Sequence, residues 1–323
     1  MDVFASAFKD ARPGVALVGA GAVGRALGLR LAESGFPIEA VVSRTLGPAR
    51  SLARAVGAPV ASDRLADVGT APFVLVCVGD DQIADVAETL TGVSRSWRGT
   101  VVAHTSGALP ASALAPLADE GAAVLSFHPL QTLTREAAPR ALDGVYVGLE
   151  GDARGVAAGI EVAVRLGMRY LVLSSEAKAR YHLAASMASN FLVTLMGIVQ
   201  EVLASIDVDR DDAKALLAPL LQGTLDNLRA GSPEEAITGP VVRGDLATLR
   251  QHGLALREHL PHLVPAYAAL SVETVRLAVR SGRLDADHAA RVLDLMEKMM
   301  TLPLPPRSAG TPSTPPVRHS VGS

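Results

Sequence analysis

Residues 15–24 constrain the fold more than any other part of the chain. Four apolar residues, 15–18, are followed by glycines at positions 19, 21 and 24. A short apolar strand that breaks into Gly-x-Gly-x-x-Gly is typical of a strand that turns tightly into a helix. Gly19 allows the turn, Gly21 lets a ligand approach the backbone, and Gly24 lets the helix pack closely. Because a helix N-terminus attracts anions, the pattern predicts a loop that binds a pyrophosphate.

The residues after the next strand indicate which dinucleotide binds. An Ala- and Leu-rich helical stretch at 25–34 and an apolar strand at 38–42 complete a βαβ unit, which disfavours the alternative of an incidental glycine-rich turn. NAD-binding folds place Asp or Glu after this second strand, but this chain has Ser43, Arg44 and Thr45. A guanidinium and two hydroxyls suit a 2′-phosphate, so the predicted cofactor is NADP(H). A solvated arginine is the alternative.

The alternation of strands and helices predicts an α/β fold, a doubly wound and mostly parallel Rossmann sheet followed by an all-helical C-terminal domain. After Ser174 the pattern changes to long helical stretches. The predicted domains are a dinucleotide-binding domain at 1–173, a helical substrate and dimerisation domain at 174–300, and a disordered Pro- and Ser-rich tail at 301–323. Strands are expected at 15–18, 38–42, 59–61, 73–78, 100–103, 123–127, 145–149 and 169–173, and helices in the second half at 175–206, 210–230, 246–259, 263–281 and 286–300.

Composition favours a small-molecule enzyme. The net charge of -3 and an aromatic content of 3% argue against nucleic-acid binding. The single cysteine, Cys77, lies in an apolar run and is expected to be buried and inert. The N-terminus lacks the apolar segment of a signal peptide, and the uncharged stretch 183–200 is interpreted as a buried helix rather than a membrane span. We expect a cytoplasmic protein that binds no metal, because no His, Cys or carboxylate group has metal-ligand spacing.

One helix carries a polar stripe on an otherwise apolar surface. Lys178, His182, Ser186 and Asn190 recur at four-residue steps, with Ser189 between the last two. At about 100° per residue, most of them fall on one face. A mostly apolar, buried helix with such a face needs a polar partner, which is water, another helix or a ligand held in a cleft. The alternative is that the first two residues lie near an exposed helix start while the others bond locally to the backbone.

Polar residues also follow several predicted strands. The segment Gly79 to Gln82 follows one, His104 to Gly107 the next, and His128 to Thr132 the one after. In open α/β sheets, ligands bind at the carboxyl ends of the strands. The predicted cofactor-binding residues are therefore Gly19, Ala20, Gly21, Ala22, Val23, Gly24, Ser43, Arg44, Thr45, Val78, Gly79, Thr105 and Ser106.

A loop in the second half presents an arginine. The segment 238–245 is shaped by two glycines and a proline, and Asp245 is placed to cap the next helix. Arg243 is predicted to bind a substrate carboxylate, because planar anions favour bidentate recognition by arginine. The predicted substrate-binding residues are His128, Ser186, Ser189, Asn190 and Arg243.

Three segments carry a resemblance to a known family. His-Pro-Leu-Gln-Thr at 128–132, Lys-x-x-Tyr-His at 178–182 and Thr-Gly-Pro-Val-Val-Arg-Gly-Asp at 238–245 resemble a two-domain family with a Rossmann-like NADP-binding domain and a C-terminal helical domain of unknown function. More distantly, the chain is similar to ketopantoate reductases and pyrroline-carboxylate reductases. The similarity to ketopantoate reductases implies that Lys178 is the catalytic acid. Thr105, His182 and Ser186 depart from the residues of ketopantoate reductases, so the reaction class carries over better than the substrate.

These observations predict hydride transfer from NADPH to a small keto acid. Lys178 is the expected proton donor and His182 the second choice, because a developing alkoxide needs a proton and a nearby positive charge. The alternatives are a cyclic imine reductase, a deazaflavin-linked NADP oxidoreductase, and a non-catalytic NADP(H)-binding sensor or scaffold. The expected partners are a small molecule with a carboxylate and a second copy in a homodimer, with no nucleic acid and no membrane.

Overall fold

Strands and helices alternate along the first half of the chain in the computed structural model, as the sequence predicts. The structure describes residues 12–134, 136 and 139–301. The predicted tail, 301–323, lies outside the described residues except for Thr301, which ends the last helix.

The described residues form one eight-stranded sheet in the order β3-β2-β1-β4-β5-β6-β7-β8. Neighbouring strands are parallel, except that β7 is antiparallel to β6. The predicted fold class, a doubly wound and mostly parallel Rossmann sheet, is therefore confirmed. The strands are β1 (Val15–Val18), β2 (Ile38–Val42), β3 (Val60–Ser62), β4 (Phe73–Val76), β5 (Val101–His104), β6 (Ala123–Pro129), β7 (Tyr146–Gly151) and β8 (Arg169–Val172).

Helices cover both faces of this sheet because its inner strands β1 and β4 are apolar at every position. Successive side chains point to opposite faces, so Leu17 of β1 joins one core and Val18 the other. On the Leu17 face lie α1 (Ala22–Glu33), α2 (Leu46–Val56) and α5 (Ala153–Arg165), and on the Val18 face lie α3 (Ile83–Thr91) and α4 (Ala115–Asp119). The strands thus end in loops at one edge of a rigid, two-sided core.

A long helical segment follows the sheet. It begins as α6 (Ser175–Ser186), continues as a π-helical turn at Met187–Phe191 and resumes as α7 (Leu192–Ala204). The four-residue spacing predicts a straight helix here and does not predict the π-helical turn. Turns of this kind are rare and are found most often at functional sites.

The chain divides into two units, one ending at Phe191 and the other beginning at Leu192. The sequence predicts the boundary near Ser174, where the strand pattern stops. In the structure α6 belongs with the sheet, because its side chains bond to strands and strand-end loops of the first unit.

The second unit is helical, as predicted. Besides α7 it contains α8 (Arg210–Ala230), α9 (Pro233–Ala236), α10 (Leu246–His259), α11 (Val264–Arg280) and α12 (Ala286–Thr301). Its core joins α10, α11 and α12 through buried side chains that include Leu249, Val275, Val292 and Met296.

The helix α7 is exposed, which corrects the prediction that residues 183–200 form a buried helix. No residue of α7 is buried in the single chain, and Val193 is 70% exposed. Within the described part of the chain, Ser175–Ala204 is the one helical stretch with the length and apolar composition of a membrane span. A helix of a soluble protein that packs against a second apolar surface can have the same length and composition, so this stretch is weak evidence for a membrane span.

Candidate functional site

The glycine loop between β1 and α1 has the geometry that its sequence predicts. Gly19 has a φ of 105°, and a Cβ there would collide with the carbonyl oxygen of Cys77. A Cβ at Gly24 would collide with the carbonyl oxygen of Gly19. Gly21 is the N-cap of α1, and a Cβ there would point into open space. The loop therefore leaves the N-terminal amides of α1 accessible to an anion.

A cavity of about 520 Å³ extends from this loop along the strand ends. Seven of the predicted cofactor-binding residues line it. These are Gly19, Ala20, Gly21, Ser43, Arg44, Thr45 and Val78. Thr45 is the N-cap of α2, and its hydroxyl makes no cap bond to the described backbone of that helix. The hydroxyl and the Arg44 guanidinium are thus both available to a phosphate at this end of the cavity.

The cavity also has a wall that the sequence analysis missed. Its further lining residues are Val18, Val42, Pro48, Asp63, Leu65, Cys77, Gln82, Asp85, Val86 and Thr89. The last four are spaced i, i+3, i+4 and i+7 at the start of α3, which places them on one helical face. That spacing, directly after a strand, is the signal that would have found them.

Six predicted cofactor residues do not line this cavity: Ala22, Val23, Gly24, Gly79, Thr105 and Ser106. Thr105 lies beside it, because its side chain interacts with the Cys77 thiol on the cavity wall. Burial raises the pKa of that thiol to about 12, so Cys77 is an inert wall residue, as predicted.

A second cavity, of about 570 Å³, lies where β6 ends against α6 and the π-helical turn. It contains four of the five predicted substrate-binding residues and one of the two predicted catalytic residues. The lining residues are His128, Leu130, Gln131, Thr132, Tyr181, His182, Ala184, Ala185, Ser186, Ala188, Ser189 and Asn190. The hydroxyls of Thr132 and Ser189 are 2.9 Å apart, which ties the loop after β6 to the π-helical turn.

His128, Tyr181 and His182 form the aromatic wall of the second cavity. The Nδ1 atom of His128 lies 3.1 Å from the Tyr181 hydroxyl, and the His128 and His182 rings meet edge to face. Two glycines make room for them. A Cβ at Gly107 would lie 2.6 Å from His182 Nδ1, and a Cβ at Gly148 would lie 2.8 Å from the Tyr181 ring. The sequence analysis does not include Tyr181 among the predicted site residues, although the segment Lys-x-x-Tyr-His contains it.

Burial keeps two members of this wall, His128 and Tyr181, uncharged at neutral pH. Desolvation lowers the pKa of His128 to about 4, with a further lowering by the charges of Lys178 and His182. Desolvation also raises the pKa of the Tyr181 hydroxyl to about 12, against the effect of a hydrogen bond with the Gly148 backbone. Tyr181 therefore retains its proton, and His128 is a neutral imidazole.

The position of Lys178 differs from the one that the sequence predicts. Its side chain is 1% exposed, and the ammonium donates to the Ser106 carbonyl oxygen at 3.2 Å and to the Ser126 hydroxyl. Lys178 is not among the residues that line the second cavity. The reason is that its ammonium is bonded to Ser106 and Ser126 beneath α6.

Arg243 belongs to the second unit. It is exposed in the loop before α10, where Gly239 and Gly244 have positive φ values. Asp245 caps α10 as predicted, because its carboxylate accepts from the Thr248 amide at 3.1 Å. The role of Arg243 in carboxylate binding stays a prediction. Among the described residues no group of His, Cys, Asp and Glu has the arrangement of a metal site.

Family models recognise both halves of the chain. Residues 2–129 match a Rossmann-like domain, and residues 145–274 match a domain of unknown function, DUF2520. The two matches together cover most of the chain and have the order that the sequence analysis predicts, a Rossmann-like domain followed by a domain of unknown function. The predicted resemblance is thereby confirmed. A comparison with curated protein sequences finds no significant match.

Solved structures extend the comparison. The chain is 26% identical to a candidate NADP oxidoreductase from Bacteroides fragilis, with a TM-score of 0.68 over 80% of this chain and 96% of that one. The protein TM1727 from Thermotoga maritima gives the same identity and TM-score over 82% and 99%. An imine reductase from Myxococcus stipitatus in complex with NADP+ is 19% identical, with a TM-score of 0.60 over 87% and 100%, and shows the fold alone. The chain thus has the Rossmann-type fold of NADP-dependent oxidoreductases, which supports the prediction of NADP(H) as cofactor.

Proposed function

We propose that this two-domain Rossmann-like protein is an NADPH-dependent reductase that acts on a carbonyl group of a small molecule. One observation carries the proposal. A cavity lined by an open glycine loop and an arginine lies in the same unit as a second cavity whose wall holds a neutral, hydrogen-bonded tyrosine. The first cavity suits the dinucleotide, and the second suits the group that is reduced.

The first cavity fits NADPH at both of its phosphate groups. The amides at the start of α1 would hold the pyrophosphate, since Gly21 leaves that approach open. Arg44 and Thr45 would hold the 2′-phosphate. When bound, the cofactor supplies the hydride, and the residues of the second cavity handle the proton.

Tyr181 is the proton donor in this proposal. A carbonyl carbon that accepts hydride leaves negative charge on its oxygen, and an alkoxide is a far stronger base than a phenolate even where the pKa of Tyr181 is about 12. The proton moves from the Tyr181 hydroxyl to the substrate oxygen. A proton from solvent then restores the Tyr181 hydroxyl, and the His128 Nδ1 atom, 3.1 Å away, holds that hydroxyl in place through a hydrogen bond. This assigns to Tyr181 the role that the sequence predicts for Lys178.

His182 is assigned to substrate binding, although the sequence predicts it as a catalytic residue. Its Nδ1 atom is buried and has no hydrogen-bond partner among the described residues. A buried nitrogen without a partner costs free energy until a ligand supplies a hydrogen bond. Ser186, Ser189 and Asn190 add hydroxyl and amide groups to the same cavity.

The lining of the second cavity favours a carbonyl over an imine. An imine is reduced as its protonated cation, which a nearby carboxylate stabilises. Among the described residues that line this cavity there is no Asp or Glu. A small keto acid remains our specific substrate proposal, with Arg243 as the residue expected to bind its carboxylate. Replacing Arg243 by Ala should then raise KM for keto acids and leave KM for neutral ketones unchanged.

The test measures NADPH consumption with a panel of small keto acids, neutral ketones, aldehydes and cyclic imines. With the best substrate, Tyr181→Phe should lower kcat by roughly 100- to 10,000-fold, the usual contribution of a general acid, with little change in NADPH affinity. Tyr146→Phe is the matched control, because Tyr146 is 47% exposed on β7 and lies outside both cavities.

Three outcomes would contradict the proposal. Tight NADPH binding without turnover of any carbonyl or imine would favour the sensor or scaffold. Full activity of the Tyr181→Phe variant would exclude Tyr181 as the proton donor. Preferential turnover of the cyclic imines would replace the carbonyl by an imine as the reduced group.

We further propose that the protein is a homodimer and that it is soluble and cytoplasmic. The exposed apolar surface of α7 and α8 supports the dimer, since monomers rarely expose contiguous apolar patches of this kind. The likeness to a structure described as a candidate NADP oxidoreductase supports a soluble protein.

A further inference from the structure

Two oppositely charged side chains are buried beside the second cavity, in addition to the residues that line it. Lys178 is 1% exposed and Glu150, on β7, is 5% exposed. Burial lowers the pKa of Lys178 to about 8, and the negative charge of Glu150 opposes that effect. Burying a charge is costly unless it is paired and hydrogen-bonded, so the fold must gain something specific from these two groups.

Both charges hold the same loop. Residues 105–111 follow β5 and are called here the β5 loop. The Lys178 ammonium donates a hydrogen bond to the Ser106 carbonyl oxygen of this loop at 3.2 Å. Glu150 accepts from the Ala111 amide at 2.6 Å with one carboxylate oxygen and from the Ser175 hydroxyl at 2.6 Å with the other. The loop is therefore anchored near both of its ends, to α6 and to β7.

His104 braces the loop from inside. Its Nδ1 atom accepts from the Ser106 amide at 3.1 Å, and its Nε2 atom lies 3.1 Å from the Pro110 carbonyl oxygen. Between these anchors lies Gly107, where a Cβ would come within 2.8 Å of the His182 and His128 rings. A shift of the β5 loop would displace Gly107 from those two rings.

We propose that Lys178 and Glu150 are positioning residues, which act as a pair to hold the β5 loop against the histidines of the second cavity. Lys178 transfers no proton to the substrate, because its donated bonds go to Ser106 and Ser126 and it is absent from the cavity lining. The functional consequence rests on the proposed reductase activity. The loop anchoring itself does not.

The experiment compares Lys178→Met, Glu150→Gln and the double variant, and it uses amide hydrogen exchange of the full-length protein. Both single variants should speed exchange in residues 105–111 by roughly tenfold or more, since each leaves the loop with one anchor and an unpaired buried charge. The double variant should melt at a higher temperature than the less stable single variant, because neither charge is then left alone. Tyr181→Phe is the matched control, because it changes the cavity wall and should leave exchange in the loop unchanged.

The kcat values of the single and double variants test whether the two residues act together on turnover. If the two residues act as a unit, Glu150→Gln should lower kcat about as much as Lys178→Met, and the double variant should lose no more than the worse single variant. Lys178→Arg, which keeps the charge and the donors, should recover part of the loss. Where a single variant fails to fold, the double variant and Lys178→Arg supply the comparison.

Either of two results would overturn the inference. One is unchanged exchange in residues 105–111 in both single variants. The other is full turnover in Glu150→Gln together with a loss of more than about 100-fold in Lys178→Met, which is the signature of a general acid at position 178. Exchange and melting need no substrate, so a failure to find turnover would count against the reductase proposal and leave the loop anchoring to be decided separately.

Discussion

At the scale of single residues, we expect one position in each cavity to have a large effect on its function. In the first cavity it is Arg44, the guanidinium at the end of β2. In the second it is Gly107, which has no side chain and a negative φ, so its requirement for glycine comes from space and not from backbone conformation.

We expect Arg44→Ala to weaken NADPH binding roughly 10- to 100-fold, because it removes charge-assisted hydrogen bonds of about 1.5 to 3 kcal/mol each. NADH has no 2′-phosphate, so its affinity should hardly change. Titration of both cofactors measures the difference. Arg54→Ala is the control, since Arg54 is exposed on α2, the helix that follows Arg44, and lies outside the cavity. Equal losses for NADPH and NADH would contradict the assignment of Arg44.

Gly107→Ala should lower turnover by about 100-fold, because the added methyl must displace the His182 and His128 rings and a small misplacement of catalytic groups has effects of that size. NADPH affinity should change little. Steady-state kinetics and cofactor titration separate the two effects. Gly223→Ala, at a helical position with open space around its Cβ, is the control and should be neutral. An active Gly107→Ala variant would show that the rings adjust freely.

At the scale of elements, the helix from α6 to α7 combines two roles along its length. Its first part carries Lys178, Tyr181 and His182 over the strand ends, and the π-helical turn shifts Ser189 and Asn190 relative to a straight helix. Its last part, α7, exposes apolar side chains, including Val193 at 70%. An apolar helix face without cover favours association with a second apolar surface.

If α7 lies in a homodimer interface, Val193→Glu should weaken the dimer by about 30-fold or more, which corresponds to about 2 kcal/mol for a central interface residue. Light scattering should give twice the chain mass of 33.4 kDa for the wild type and a lower mass for the variant at the same concentration. Val164→Glu, on the exposed side of α5, should leave the mass unchanged. A wild-type mass of 33.4 kDa would exclude the dimer.

At the scale of the whole molecule, stability should fall in weak acid. Burial lowers the pKa of both His104 and His128 to about 4 from a usual value of 6.5. Between these values the unfolded chain takes up protons that the folded chain does not, so stability is lost as pH falls from about 6.5 towards 4. Each histidine contributes about 1.4 kcal/mol per pH unit in that range.

Urea unfolding between pH 6.5 and 5 measures this slope. His128→Gln should reduce it by roughly half of the part that the two histidines supply, because one of the two proton-linked groups is removed. His259→Gln is the control, since His259 is exposed at the end of α10. A slope that is the same in wild type and His128→Gln would contradict the burial of a neutral imidazole at position 128.

The sequence alone determined the sheet, the glycine loop and the arginine that follows β2. These features depend on residues within one βαβ unit, where glycine conformation, apolar runs and spacing act locally. The same local reasoning placed His182, Ser186, Ser189 and Asn190 on one helix, and the structure brings them together in one cavity.

Only the tertiary structure decided which way Lys178 points and that Tyr181 lines the second cavity. Lys178 shares its four-residue spacing with His182, but Ser106, Ser126 and Glu150 come from β-strands and a loop far away in the sequence, and their polar groups draw its ammonium into the interior. The exposure of α7 could not be predicted from the sequence either. An apolar pattern indicates that a helix needs an apolar neighbour, but it does not indicate whether the same chain supplies that neighbour. Local propensity sets the elements, whereas the partners of a buried charge or an apolar face are set by long-range packing.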